Sequence, residues 1–130
     1  MENRTAADVL AGLRKALRDW TPLGAAVERT TGMSLSLPGG GATELIPPAA
    51  HVAARGIAFS RTGGSALSAE AMFYLPLFGE GAEAAALGVA EAGAEALFSS
   101  EERVLSVSLR RLEMEEEGIW EVALEATVKF

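Results

Sequence analysis

The sequence predicts an α+β fold: a mainly antiparallel sheet with two helices packed on one face and a C-terminal β-hairpin. The first observation is the final segment, residues 119–130, in which apolar and polar residues alternate as in a strand with one buried face. The second is a pair of segments with helical spacing, separated by strand-like segments. A chain of 130 residues fits one domain, which we expect to span residues 1–130.

The first helix is predicted from Thr5 to Asp19. Thr5 and Asp8 have the spacing of a capping box, and apolar residues then recur every three or four positions. The segment Thr21-Pro22-Leu23-Gly24 ends this helix, because the residue before a proline avoids the helical region. Alternating apolar residues then predict two short strands within residues 25–37, with a bend at Thr30-Thr31-Gly32.

The middle of the chain predicts a loop, two strands and a second helix. Residues 38–48, PGGGATELIPP, are dense in Gly and Pro and indicate a long exposed loop. Strands are predicted over residues 51–60 and 67–77, and a helix over residues 81–98. The predicted contact face of this helix is rich in alanine and contains Leu87, Ala90, Ala94, Leu97 and Phe98. Gly88 and Gly93 interrupt the helix and imply either close packing or a frayed helix.

The C-terminal hairpin has a register that the apolar pattern predicts. A turn at residues 115–118 pairs Met114 with Ile119, and it then places three apolar pairs on the core face: Leu105 with Val128, Val107 with Ala126, and Leu109 with Leu124. Beyond Leu109 the apolar residues change sides, so Leu112, Met114 and Ile119 are expected on the outer face of the hairpin tip. The change indicates a small satellite core, a partner contact, or a bulge near Arg110-Arg111.

Composition limits the classes of function. The net charge is −7, and residues 66–130 hold four Lys/Arg against thirteen Asp/Glu, whereas residues 1–65 hold seven against five. Specific nucleic-acid binding is disfavoured, because it needs clustered basic residues. The chain has no cysteine, and the charged N-terminus matches neither a signal peptide nor a membrane span. We therefore expect a soluble cytoplasmic protein.

Motifs for catalysis are not evident in the sequence. His51 is the single histidine, which rules out a multi-histidine metal site, and it is more typical of a surface residue than of a catalytic one. No Lys-Ser/Thr follows the glycines at 39–41, so phosphate-binding motifs do not match. Glu115-Glu116-Glu117 is more typical of a solvated turn than of a cation site. We expect no enzymatic activity, no metal and no cofactor.

The order of elements resembles one family. An N-terminal helix with the sequence ADVLAGLRKAL, a central sheet with a long loop, a helix at residues 81–98 and a closing strand GIWEVALEATVKF resemble the tail terminators and minor capsid (head–tail joining) proteins of tailed bacteriophages. The resemblance implies a structural protein that forms a homo-oligomeric ring, usually a hexamer. Such a ring caps the tail tube and contacts the head–tail connector. It also implies assembly in the host cytoplasm and a final location in the tail or neck of the virion, without a membrane.

The candidate contact residues are apolar. They lie at the hairpin tip and in the long loop: Leu112, Met114, Ile119, Leu45 and Ile46. The sequence does not decide between a terminator and a connector. An alternative from another class is a small-molecule-binding or enzymatic α+β dimer with a pocket between sheet and helices, using His51 with either Arg55 or Tyr74 as a candidate second residue.

Overall fold

The computed structural model describes residues 4–37, 46–116 and 118–130. In chain order the elements are α1 (Ala6–Asp19), α2 (Thr21–Thr31), β1 (Ala49–Ala58), β2 (Ala66–Pro76), α3 (Ala82–Phe98), β3 (Arg103–Glu116) and β4 (Ile119–Lys129). The four strands form one antiparallel sheet in the order β1-β2-β4-β3. The predicted α+β class and C-terminal hairpin are confirmed. The predicted loop at 38–48 falls mostly outside the described residues, as does Leu45.

The first helix begins where the sequence predicts. Thr5 is the N-cap: its Oγ1 accepts a hydrogen bond from Asp8 N at 3.1 Å, and its own N donates to Asp8 Oδ2 at 3.0 Å. The two bonds together are the capping box, which satisfies backbone donors that a helix end leaves unpaired. Val9, Leu13 and Leu17 are buried on the inner side of α1.

A third helix replaces the strands predicted for residues 25–37, so that prediction was wrong. Pro22 lies in the first turn of α2, where its missing N–H costs nothing and its fixed φ favours the helix. Leu23, Ala26 and Val27 have helical spacing and are buried. The hydroxyl of Thr30 donates to Ala26 O at 2.9 Å, a local bond that accommodates a β-branched residue in the last turn.

The sheet has one face covered by helices, the helix face, and one face without them, the outer face. On the helix face, β2 and β4 form a central row of apolar pairs: Leu67 with Val128, Ala69 with Ala126, Ala71 with Leu124, and Phe73 with Val122. α3 packs on β3 and β4, α1 packs on β1 and α3, and α2 packs on α3 and β2. The core therefore lies between the two central strands and the three helices.

Small residues allow α3 to approach the sheet closely. A Cβ atom at Gly93 would lie 2.9 Å from Phe73 Cζ and 3.1 Å from Leu124 Cδ1, so the glycine is a packing contact. The predicted contact face of α3 was only partly right. Ala90 and Leu97 are buried, but Leu87 and Phe98 are exposed, and the sheet side is made by smaller residues: Ala82, Ala86, Val89, Gly93 and Ala96.

The hairpin register is predicted correctly in its centre and wrongly at its ends. Val107 faces Ala126 and Leu109 faces Leu124, as predicted. Irregularities between residues 104 and 106, 109 and 111, and 114 and 116 then change the pairing, so Val104 faces Val128 and Met114 faces Trp120. The irregularity at residues 109–111 is the bulge that the sequence left as an alternative. It returns Leu112 to the helix face, which corrects the expected apolar outer face.

Candidate interaction surfaces

The hairpin tip packs against the segment that follows β2. Leu77 N donates to Gly118 O at 2.9 Å, and the ring of Phe78 lies over Gly118, where a Cβ atom would be 2.2 Å from Phe78 Cε1. Gly118 also has φ of 79°, which favours glycine. Although one side of its ring rests on the tip, Phe78 is 76% exposed. We call Phe78, Met114 and Ile119, which lie around the hairpin tip on both faces of the sheet, the tip patch.

The predicted contact residues do not form one surface. Met114 is 56% exposed on the helix face, whereas Ile119 is half-buried on the outer face opposite Pro76. Leu112 is partly buried against the core. Ile46 is exposed, and Leu45 lies outside the described residues. Phe78 was missed by the sequence reasoning, although an aromatic residue between Pro and Gly in a strand-to-helix connection is a signal that can be recognised.

The outer face of the sheet carries a dense set of charges. Arg110 contacts Glu125 at 2.8 Å and Arg111 contacts Glu121 at 2.6 Å, whereas Arg55 lies 3.9 Å from Glu70. Glu70 and Glu125 are also direct cross-strand neighbours, an arrangement of like charges that is unfavourable without nearby cations. Each of these three carboxylates has an arginine partner, which offsets the repulsion between Glu70 and Glu125.

Arg111 is the centre of the charged group at the tip. Its guanidinium contacts Glu121, Glu113 at 3.5 Å and Glu115 at 4.0 Å. The hydrogen bond with Glu121, and then the charge of Glu121, raise the pKa of Arg111. The pKa of the Glu115 carboxyl is raised by its hydrogen bond with Glu113 and by the charge of Glu121. Arg111 thus forms ion pairs with three carboxylates, so this part of the surface keeps a net negative charge.

His51 and Tyr74 stack on the outer face. Their ring centroids are 5.9 Å apart with an interplanar angle of 17°, and His51 Nε2 lies 3.5 Å from the Tyr74 hydroxyl. Burial, followed by the charges of Glu121 and Glu70, raises the pKa of Tyr74. The sequence alternative placed these side chains in a pocket between sheet and helices, but they point away from the helices, so that placement was wrong.

An open cleft of about 260 Å³ lies between the end of α1 and the connection from α3 to β3. Lys15, Trp20, Ser100 and Glu101 are among its lining residues. The indole Nε1 of Trp20 is buried and has no hydrogen-bond partner among the residues that the structure describes. The charged lining residues have both signs, and therefore do not select one class of ligand.

The described residues show no metal-ligand cluster and no membrane-spanning helix. Within residues 4–37, 46–116 and 118–130, no group of three or more His, Asp or Glu is placed to hold a metal ion. In this part of the chain, no helix is both long and apolar enough to cross a bilayer. The candidate surfaces are therefore the tip patch, the charged outer face and the edges of the sheet.

Comparison with known proteins finds similarity in fold. No protein-family model matches the sequence, and no curated protein matches it. The fold is similar to that of a chain in a solved structure described as the virion of a native gene transfer agent particle, with a TM-score of 0.62 and 17% sequence identity. The similarity covers 99% of this chain and 100% of that chain. At this identity the likeness shows a shared fold.

Proposed function

We propose that this chain is a structural subunit of a phage-like virion, which forms a ring that terminates the tail tube or connects it to the head. The observation that carries the proposal is the similarity to a virion chain over the full length of both chains. The element order noted in the sequence supports the same class of protein. The proposed role is structural and requires neither a cofactor nor catalysis.

The partners in this proposal are other copies of the chain, the tail-tube protein and the head–tail connector proteins. A closed ring of identical subunits, which we take to be a hexamer, requires two different and complementary surfaces on each subunit. Contact with the tube and the connector requires further surfaces at the two ends of the ring. Assembly takes place in the host cytoplasm, and the ring then remains in the tail or neck.

The outer face of the sheet is the surface that we assign to the channel through which DNA passes. Its tip end is acidic, since Glu113, Glu115 and Glu121 surround Arg111, whereas Arg103 and Lys129 lie on the same face at the opposite end. Phosphate groups bind proteins through clustered cations, so an acidic channel wall weakens adhesion of passing DNA. This assignment agrees with the absence of specific nucleic-acid binding expected from the charge.

The tip patch is the surface that we assign to contact with the tube. Phe78 and Met114 are large, apolar and exposed at the hairpin tip, and Arg111 with its three carboxylates lies on the outer face of the same hairpin. An apolar centre with a charged rim is the usual anatomy of a protein interface. Leu112, Leu45 and Ile46, which the sequence predicts as contact residues, remain candidates for contact with the tube.

Reconstitution with tail tubes tests the proposal. Purified chain is added to tubes that lack a terminator, and electron microscopy measures the fraction of tube ends that carry a ring. The double substitution Met114→Asp and Ile119→Asp should reduce capped ends at least tenfold, because charges placed at an apolar interface must be desolvated. Met33→Asp is the matched control, since Met33 is 47% exposed and lies outside the tip patch.

Three outcomes distinguish the proposed role from the proposed contact surface. Capped ends with wild-type and Met33→Asp protein, but not with the double variant, support both the role and the tip patch. Capping by the double variant contradicts the tip patch. Absence of rings on tube ends and on connectors with wild-type protein contradicts the role itself, and a melting temperature raised by several degrees in a metabolite screen would then favour the small-molecule alternative.

A further inference from the structure

The two edge strands of the sheet are irregular at the same level. Strand β1 has a register shift between Ala54 and Gly56, and β3 has one between Val104 and Ser106. Through Leu67 and Val128, Ile57 lies in the same row of the sheet as Val104. Both shifts therefore occur at the end of the sheet opposite the hairpin tip, which we call the base. Bulges disrupt the edge hydrogen-bond pattern, so these edges present side chains in place of a regular ladder.

Large apolar side chains are exposed at the base on both edges. On the β1 side, Ile57 is half-exposed and Phe59 is 80% exposed. On the β3 side, Leu105 is the extra residue of the bulge and is 52% exposed, and Phe98 is also exposed, as is Leu109 nearer the middle of the strand. We call Ile57 and Phe59 the β1 border, and Phe98, Leu105 and Leu109 the β3 border. Exposed apolar groups of this size mark an interaction surface more often than a solvated one.

The elements behind the two borders have opposite charge. α3 and β3 contain six Glu and three Arg, a net charge of −3. α1, which packs on β1, and β1 itself contain four Lys/Arg and two Asp, a net charge of +2. The two sides of the subunit thus differ in net charge, which favours contact between unlike sides of two copies. The Glu residues of β3 lie near the tip, whereas Arg103 and Arg110 lie beside the β3 border.

The topology specifies how such borders meet. All neighbouring strands are antiparallel in the order β1-β2-β4-β3, so β1 and β3 run in opposite directions on opposite sides of the sheet. Rotation about a common axis brings β3 of one copy beside β1 of the next. A closed ring without helical rise needs the two contacting surfaces at the same level, and both borders are at the base.

From these observations we infer that the occupant of the β3 border is the β1 border of a second copy of this chain, in a head-to-tail contact through side chains. The inference rests on the proposed ring function and names its lateral interface. In this contact, Phe98, Leu105 and Leu109 of one subunit pack on Ile57 and Phe59 of the next subunit. The tip patch stays outside the contact and remains available to other proteins.

Cysteine cross-linking tests the contact directly, because the natural sequence contains no cysteine. Ala54→Cys and Ser106→Cys place single thiols on the exposed parts of β1 and β3, one row apart in the sheet. A short bismaleimide is added to an equal mixture of the two chains at high protein concentration, with and without tail tubes. Cross-linked dimer is expected in the mixture and in neither chain alone. A chain with both cysteines should give a ladder that ends at the ring size.

Controls make the result specific. Glu113→Cys lies on β3 near the tip and should give at least fivefold less product with Ala54→Cys than Ser106→Cys gives. Leu105→Asp or Phe59→Asp should lower the product at least tenfold, and Met33→Asp should not lower it. Efficient dimerisation of Ser106→Cys alone, equal yields from Glu113→Cys, or no product under either condition would overturn the inference. Binding to tubes and to connectors is scored separately, so cross-linked rings that bind neither contradict the proposed function and leave the lateral interface intact.

Discussion

Replacement of Gly93 by alanine tests whether α3 is positioned by close packing on the sheet. The new methyl group would lie 2.9 Å from Phe73 Cζ, 3.2 Å from Phe73 Cε2 and 3.1 Å from Leu124 Cδ1. Both neighbours are buried, so the aromatic ring cannot move into solvent. Gly88 lies in the same helix, and a Cβ atom there would meet nothing within 4 Å. Gly88→Ala is therefore a matched control.

The magnitude follows from two opposing effects. Alanine in place of glycine stabilises a helix interior by about 1 kcal/mol, and this gain is common to both variants. Overpacking of a filled core costs about 1–3 kcal/mol, and it applies only to Gly93→Ala. Gly88→Ala should therefore be about 1 kcal/mol more stable than wild type. Gly93→Ala should lie about 1–3 kcal/mol below Gly88→Ala, between neutral and about 2 kcal/mol destabilised.

Urea denaturation followed by circular dichroism measures both changes, at a protein concentration low enough to keep the chain monomeric. Phe73→Leu serves as a second background, because a smaller side chain leaves room for the added methyl group. In that background Gly93→Ala should cost less, which gives a coupling energy of about 0.5–3 kcal/mol in a double-mutant cycle. Equal stabilisation by Gly88→Ala and Gly93→Ala, or a coupling near zero, would refute the close-packing argument.

Three further predictions concern the N-cap, α2 and the charged tip. Thr5→Ala removes the capping box and should lower the free energy of unfolding by about 1 kcal/mol in urea at neutral pH. The hydrogen bonds of Asp8 with Thr5 hold the pKa of Asp8 below its ordinary value of 3.8, so this contribution is present above that value and is lost as the pH falls through the lower folded-state pKa. Leu23→Ala should cost about 2–5 kcal/mol, because Leu23 is fully buried, whereas Met33→Ala should change little; equal effects would contradict the packing of α2. Glu115→Gln should raise the melting temperature at pH 7 and lose that gain in acid, since the raised pKa of Glu115 means that ionisation destabilises the fold at neutral pH. A gain that persists at low pH would refute this assignment.

Helix α2 shows why the sequence predicted some elements and missed another. In α1, a capping box and apolar residues of helical spacing agree, and the prediction is confirmed to within a residue. The sequence prediction treats Pro22 only as the end of α1, although proline is also common in the first turn of a helix, where it lies in α2. The alternation of Met33, Leu35 and Leu37 indicates a strand, but these residues follow the helix. The strand prediction was wrong because it also included residues 25–31, which are helical. Signals for a helix and for a strand are thus adjacent in the sequence. The burial of Leu23 and Val27 in the core stabilises the helix.

Strand β3 shows a different limit, which concerns the candidate surfaces. The apolar pattern of β3 and β4 predicts the central pairs, because a buried face fixes the register there. A bulge changes the pairing by one residue and does not require a particular residue type, so the predicted positions of Leu105 and Leu112 were wrong. The change of apolar face near Arg110 and Arg111 indicates an irregularity, but it does not show which residue is left unpaired. Interaction residues on such strands need the structure before they can be assigned.

The bulges also connect the lateral and axial contacts of the proposed ring. An edge strand with a regular ladder can pair with any extended chain, whereas the irregular edges of this sheet require matching side chains. The matching side chains lie at the base, and the tip patch lies at the other end of the same strands. Variants at the two ends should therefore act independently. Leu105→Asp should prevent lateral cross-linking, whereas Met114→Asp with Ile119→Asp should allow rings to form that fail to cap tubes. Loss of lateral cross-linking in the variant with Met114→Asp and Ile119→Asp would contradict the separation of the two surfaces.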